Sequence, residues 1–154
     1  MSDENFSDLT EARKKAMDYL ARREHGRVEL AGKLTRAGFN PDVAEVAIVR
    51  LIEDGLQSDQ RFADTFIQSR INQGKGPTRI RAELKERGLG GSVIDDGLQG
   101  AGQDWYELAK EVRLKKFGPD RPADFKEKAR QMRFLQYRGF EPDQIQATVS
   151  SNDE

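Results

Sequence analysis

A glycine that recurs every 50 or 51 residues, inside the same short signature, constrains this chain more than any other feature. "KLTRAGFNPDV" (33–43) and "FLQYRGFEPDQ" (134–144) share the pattern Leu-x-x-x-Gly-Phe-x-Pro-Asp, and "ELKERGLGGSV" (83–93) is a weaker copy between them. Aligned on Gly38, Gly88 and Gly139, the copies carry Leu34, Leu84 and Leu135 four residues before the glycine. They carry Phe39, Leu89 and Phe140 just after it, and Ile48, Leu98 and Val149 ten residues after it. The glycine suits the left-handed position that closes a helix, and the following apolar residue folds back over the last turn. Pro41 and Pro142 then stand at the first position of a new helix, with Asp42 and Asp143 favouring its N-terminal dipole. Each copy therefore predicts two helices joined by a tight turn.

Apolar spacing elsewhere follows the helical period. Ala12, Ala16, Tyr19 and Leu20 line one face, as do Phe62, Ala63, Phe66 and Ile67. A broader stripe, Val43, Val46, Ala47, Leu51 and Ile52, predicts a more buried helix. No stretch alternates in the way a strand requires. The expected helices are 11–25, 27–37, 41–54, 59–73, 77–87, 92–99, 103–117, 123–138 and 141–149. A long first helix before each signature gives three tandem three-helix units, an all-α repeat expected to form an elongated, curved molecule. The expected division is an acidic N-terminal tail (1–10), repeats at 11–56, 57–100 and 101–150, and a C-terminal tail (151–154). "LQGAGQD" (98–104) and "FGPDRPAD" (117–124) are the expected flexible joints.

Composition agrees with thin, surface-rich units. Of the 154 residues, 36% are hydrophobic and 34% charged, too little apolar matter for one thick core. Cysteine is absent, which removes disulfide and thiolate chemistry. No apolar run reaches membrane-spanning length, and the start has no secretory pattern, so the expectation is a soluble, cytoplasmic, monomeric protein. The net charge of −1 hides an asymmetry. Of 27 acids, eight lie in 1–11 and 139–154, which leaves 19 against all 26 bases in 12–138, a balance of +7.

The stretch "NQGKGPTRIRAELKERG" (72–88) tests two ideas. A phosphate loop of the Walker type needs a preceding strand and a Gly-Lys-Ser/Thr ending, and neither is present. Gly74 instead caps one helix, Gly76 permits a turn, and Pro77 begins the next helix. In that helix Arg79 and Glu83, and Glu83 and Arg87, pair at i,i+4. Arg81 and Lys85 have no acid at i±3 or i±4, so with Lys75 they point to an external anion. Arg22, Arg23 and Arg27 gather near the end of the first helix, where the dipole favours cations. Arg61 can pair with Asp64, whereas Arg70 has no acid at helical spacing. Lys110–Lys116 and Lys126–Arg138 are dense in bases, with Arg133 beside Phe134 and Arg138 beside Tyr137. Such neighbours can grip single strands by stacking, although the repeat places Phe134 in the core.

No catalytic constellation stands out. His25, the only histidine, reads as a cap or dipole partner, and Ser92 as an N-cap. Carboxylates lie on charged ladders, with no pair set for acid–base work. No enzyme activity, cofactor or metal is expected.

Four blocks, "LARREHGRVELAGKL" (20–34), "SDQRFADTFIQSR" (58–70), "GKGPTRIRAELKERG" (74–88) and "FLQYRGFEPDQI" (134–145), resemble the RecX family of bacterial RecA regulators. The resemblance covers roughly 15–150. It departs at Gly26, where the family usually has a Ser-like residue, and at Ser58–Asp59, where Asp–Asp is commoner. Gly26 is expected to loosen a helix start. The resemblance implies a non-enzymatic negative regulator that lies in the groove of the RecA filament on single-stranded DNA and limits recombinase and ATPase activity. The matching basic positions, candidates for contact with RecA or DNA, are Arg22, Arg23, Arg27, Arg61, Arg70, Lys75, Arg79, Arg81, Lys85, Arg87 and Arg138. Weak single- or double-stranded DNA contact is part of that expectation. The alternative is a direct DNA-binding protein that uses its helix-turn-helix-like units. A sequence pI near 6.0 and acidic ends argue against tight independent DNA binding. A structural adaptor without a DNA role is a third reading.

Overall fold

The computed structural model describes residues 3–150, so the expected C-terminal tail and the first two residues lie outside it. Among the described residues there are nine α-helices and no strand. They are α1 (Asp3–Arg22), α2 (Arg27–Arg36), α3 (Pro41–Glu53), α4 (Asp59–Asn72), α5 (Pro77–Glu86), α6 (Gly91–Gly100), α7 (Trp105–Phe117), α8 (Phe125–Arg138) and α9 (Pro142–Ser150).

The repeated glycines do what their spacing predicts. Gly38, Gly88 and Gly139 have φ of 105°, 86° and 101°, a region that side chains with a Cβ rarely enter. The next residue donates its N–H five residues back in each case: Phe39 to Leu34 (3.1 Å), Leu89 to Leu84 (3.2 Å), Phe140 to Leu135 (3.1 Å). Each glycine N–H bonds three residues back, which completes the same helix-closing motif three times. Leu34, Leu84 and Leu135 are each fully buried. Asn40 caps α3 by accepting from the Asp42 N–H at 2.8 Å.

The chain forms two compact units. The first runs to Thr65 and includes Leu84–Ile94; the second comprises Phe66–Glu83 and the chain from Asp95 onward. In the first, Ala16 of α1, Leu30 and Leu34 of α2, and Ala44, Ile48 and Leu51 of α3 form a closed core, with Tyr19 and Phe39 packed on it. In the second, Leu108, Ala109 and Val112 of α7 and Ile145 and Val149 of α9 are buried. Arg113 is buried as well, and its guanidinium is satisfied by Gln131 Oε1 (2.8 Å) and the Asp120 carbonyl (2.7 Å). One member of the 110–116 basic run is therefore structural.

Several boundaries shift for identifiable reasons. α1 begins at Asp3 rather than 11; an acidic start suits a helix N-terminus although no apolar periodicity marks it. It stops at Arg22 rather than 25 because His25 turns inward and is 1% exposed. Asp104 and Asp124 are caps that accept from Glu107 N–H (3.1 Å) and Glu127 N–H (2.8 Å), so α7 and α8 start two residues later than expected.

Candidate partner-binding surface

His25 is a buried core residue, which corrects its reading as a cap or dipole partner. Its Nε2 lies 2.8 Å from Lys33 Nζ, an obligatory donor, so Nε2 must accept. Nδ1–H then donates to the Arg23 carbonyl at 3.0 Å. Burial, aided by the charges of Arg23 and Lys33, pushes the imidazole below its ordinary pKa, and the ring is neutral. Gly26 does not loosen α2 either. Asp59, the first residue of α4, reaches back to accept from the Arg27 N–H at 2.7 Å, and Gln57 bridges Asp59 Oδ1 (3.0 Å) and the His25 carbonyl (3.1 Å). The cap that Gly26 lacks comes from 32 residues away.

Around this joint, basic candidates of the first unit meet carboxylates. Arg23 holds Glu29 at 2.6 Å, Arg87 approaches Glu29 at 3.7 Å, Arg61 holds Glu24 at 3.0 Å, and Arg27 pairs with Glu45. Two pairings differ from those read off helical spacing: Arg61 takes Glu24 rather than Asp64, and Arg87 takes Glu29 rather than Glu83. Burial raises the Glu29 carboxyl, but the Arg23 hydrogen bonds and the nearby positive charges of Arg23 and Arg87 together outweigh it, and the net shift is downward. Arg22 and Lys85 are exposed and make no ion pair among the described residues.

In the second unit, Glu83 sits between two candidates. Arg70 donates to Oε1 at 2.8 Å and Arg79 to Oε2 at 3.1 Å. Burial works against the carboxylate, yet these two guanidiniums hold Glu83 below the usual carboxylate range. Arg70, which has no acid at helical spacing, thus has one thirteen residues on, and it also stacks 4.0 Å from the Phe66 ring centroid. Arg81 is likewise paired, with Asp95, fourteen residues on in α6. That overturns the argument that left Arg81 to an external anion.

Lys75 and Arg138 behave differently. The Lys75 ammonium is lowered first by burial and then by the charges of Arg79 and Arg138. Among the described residues Arg138 donates to the Gln73 carbonyl alone, at 3.3 Å, and lies 5.5 Å from the Phe134 ring centroid. Arg79 spans Glu83 and the Tyr137 ring, 5.3 Å from its centroid, and Tyr137 is 72% exposed. The turn Gly74–Pro77 thus carries a local excess of positive charge beside an exposed aromatic ring.

The backbone here is docked. The Gly76 N–H donates to the Arg138 carbonyl at 2.8 Å and the Thr78 N–H to the Gly139 carbonyl at 2.9 Å. A Cβ on Gly76 would stand 2.4 Å from both the C and O atoms of Gly139, so only glycine permits the approach. The connector that resembled a phosphate loop offers its first-turn donors to another helix end.

Beside it, within the same unit, opens a cleft of about 790 Å³. Its floor is Ile71, Leu108, Val112 and Phe134; carboxamides and the cations Lys115, Lys116 and Arg138 stand around it. Sequence reading noted the basic run and the aromatic neighbour but not the cleft, because its walls come from α4, α7 and α8. The only advance signal was the pairing of cations with aromatics.

These features define a class: an all-α protein of three-helix units, built on repeated helix-closing glycines, with seven of its eleven candidate cations paired to internal carboxylates. Sequence models of the RecX family match all three units: the first three-helix domain at residues 12–51, the second at 58–98 and the third at 103–149. The chain is 48% identical over 142 residues to the Regulatory protein RecX of Pseudomonas fluorescens Pf-5, covering 92% of each chain. It is 46% identical to that of Halorhodospira halophila, over 90% of this chain and 86% of the relative. The chain belongs to the RecX family. A crystal structure of RecX from Lactobacillus salivarius shares its fold at a TM-score of 0.79 and 21% identity, covering 93% of this chain and 95% of that one. A second RecX crystal structure gives 0.81 at 23% identity, over 94% and 73%. No helix among the described residues is long and apolar enough to cross a membrane.

Proposed function

We propose that the protein is a non-enzymatic, cytoplasmic negative regulator of the RecA recombinase. It acts as a monomer in the groove of the RecA–single-stranded DNA filament and limits recombinase and ATPase activity in DNA repair and recombination. The observation that carries this reading is the family match in all three units, with close relatives named as regulatory proteins. The repeats divide the chain at 11–56, 57–100 and 101–150, preceded by an acidic segment that from Asp3 onward begins α1. The contact surface draws on the eleven basic positions, and foremost on Arg22, Lys75, Lys85 and Arg138, which no carboxylate among the described residues neutralises by direct pairing.

The test is DNA-dependent ATP hydrolysis by RecA, on assembling and on preformed filaments. Substoichiometric protein should inhibit it; unchanged hydrolysis at a filament-saturating excess would sink the proposal. Arg22→Glu with Lys85→Glu should weaken inhibition while leaving helicity and melting nearly unchanged. Salt-resistant, sequence-selective duplex binding without RecA would instead favour the direct DNA-binding reading.

A further inference from the structure

We propose that the cleft between the end of α4, α7 and α8 is a binding site for a nucleotide unit of single-stranded nucleic acid, taking a base inside and its phosphates on the rim. The assignment deepens the filament reading, on which its biological setting rests, but it concerns direct contact with a strand.

Three features of the lining converge on that ligand. The first is the floor, where Ile71, Val112 and the Phe134 ring present apolar surface. Phe134 is held edge-to-face against Phe117, with centroids 5.3 Å apart at 88°, so its position is fixed before any ligand arrives. Arg138 and Lys116 each lie 5.5 Å from its centroid, and a guanidinium plane is itself a stacking surface for a base.

The second feature is the set of carboxamides, Gln68, Asn72, Gln73 and Gln103. Gln68 Nε2 donates to Asn72 Oδ1 at 3.0 Å, which orients both side chains and leaves further donors and acceptors open. Carboxamides match the mixed donor–acceptor edge of a base; a carboxylate ligand would use only their donors. The third is the rim. Among the described residues, Lys115 has no ion pair, Lys116 has the Phe134 ring alone, and Arg138 has a carbonyl and that ring.

The carboxylates of an acidic peptide would satisfy the cations but leave the carboxamide acceptors and the apolar floor unused. Glu111 on the lining opposes any anion, so phosphates are assigned to the Lys115, Lys116 and Arg138 rim. A duplex keeps its bases stacked and cannot offer one to a cleft, whereas a single strand can. The volume, about 790 Å³, is ample for one base and its sugar.

The test uses the full chain and fluorescein-labelled strands at low salt, without recombinase. Oligothymidylate is compared with an abasic oligodeoxynucleotide of equal length, which keeps the phosphates and removes the bases. Lys115→Glu with Lys116→Glu should weaken both strands by about tenfold, because phosphate contacts are lost. Lys126→Glu with Lys128→Glu, the same change of charge on exposed or half-buried positions of α8, should weaken them by less than about threefold. Oligothymidylate should bind more tightly than the abasic strand, and Asn72→Leu with Gln73→Leu should erase that preference. A strand carrying 5-iodouracil should photocrosslink to Phe134 or its neighbours in the cleft.

Equal binding of abasic and thymidylate strands overturns the proposal, as do equal losses in the two charge-reversed variants or crosslinks outside the cleft. Binding of neither strand at low salt does the same, and so does tighter binding of an acidic peptide of matched charge. None of these outcomes bears on ATPase inhibition, so failure of the cleft and failure of the regulator reading are separable.

Discussion

The joints at His25–Glu29 and Lys75–Arg79 occupy the same place in successive repeats, fifty residues apart, yet they are held in different ways. In the first, side chains make the joint. Asp59 caps α2 from outside, Gln57 and neutral His25 fill the space behind it, and Glu29 stands between Arg23 and Arg87. In the second, backbone makes the joint. Gly76 and Thr78 donate directly to the carbonyls of Arg138, the last residue of α8, and of its cap Gly139, and the positive start of one helix meets the negative end of another. Charge is also redistributed, because Arg79 replaces Glu29 at the equivalent position. Arg138, the counterpart of Arg87, therefore has no carboxylate opposite it among the described residues, and Lys75 is left among cations. A repeat can keep its geometry while exchanging the chemistry that fastens it. The joint fastened by backbone is the one that leaves positive charge unspent.

The sharpest way to break this comparison is to add a methyl group to each glycine. Gly76→Ala drives a Cβ to 2.4 Å from the Gly139 backbone, which can yield only by separating the two helix ends. It should lower stability by about 3 kcal/mol. Gly26→Ala meets Leu89 Cδ1 at 3.4 Å, ordinary side-chain contact, and should cost less than about 1 kcal/mol. Paired urea titrations measure the difference; equal losses would mean that the backbone docking adds nothing.

Removing the carboxylate at each joint comes next. Glu83→Gln leaves Arg70 and Arg79 half-buried with weaker acceptors and should cost about 1–2 kcal/mol, discounted for partial exposure. Glu29→Gln should cost about the same, since it also serves two guanidiniums. A melting series on both variants and the double variant checks this, and the two effects should add, because the joints share no partner.

pH should separate the joints without mutation. His25 has its folded pKa lowered, so its contribution is fully present above the unfolded value of about 6.5 and is lost as pH falls toward the folded pKa. Glu29 and Glu83 are also lowered; their contributions are present above about 4.3 and are lost only as pH falls through their folded values. Between pH 6.5 and 5 only the first joint should weaken. Melting temperature should fall over that window in the wild type and fall less in His25→Gln.

The smallest effect is expected at Arg81. Its pair with Asp95 is largely exposed, so Arg81→Ala should change stability by about 0.5 kcal/mol or less. A larger loss in chemical denaturation would show that this bridge organises α5 against α6.

Much of this architecture was legible beforehand because it is written in local rules. A glycine needing positive φ, a leucine four residues before it and, in two of the three copies, a proline three after it are constraints within one turn and its neighbours. They marked Gly38, Gly88 and Gly139, and with them the helix pairs. Interactions that span tens of residues left no such mark. Helical spacing gave Arg81 and Arg70 no acid, because i±3 and i±4 describe one helix alone, whereas Asp95 and Glu83 reach them from another. His25 looked like a helix-end residue until Lys33 and the Arg23 carbonyl were found to satisfy both ring nitrogens.

The sequence by itself determined that the chain is a repeat of helix, helix, glycine turn and helix, with its bases gathered between acidic ends. Only the tertiary structure decided which of those bases are free. Charge neutralisation acts through space over a few ångströms, and folding brings a carboxylate to seven of the eleven basic candidates, while Arg22, Lys75, Lys85 and Arg138 meet none among the described residues. The same folding gathered the carboxamides and Phe134 from three helices into one cleft, a juxtaposition that no local pattern encodes.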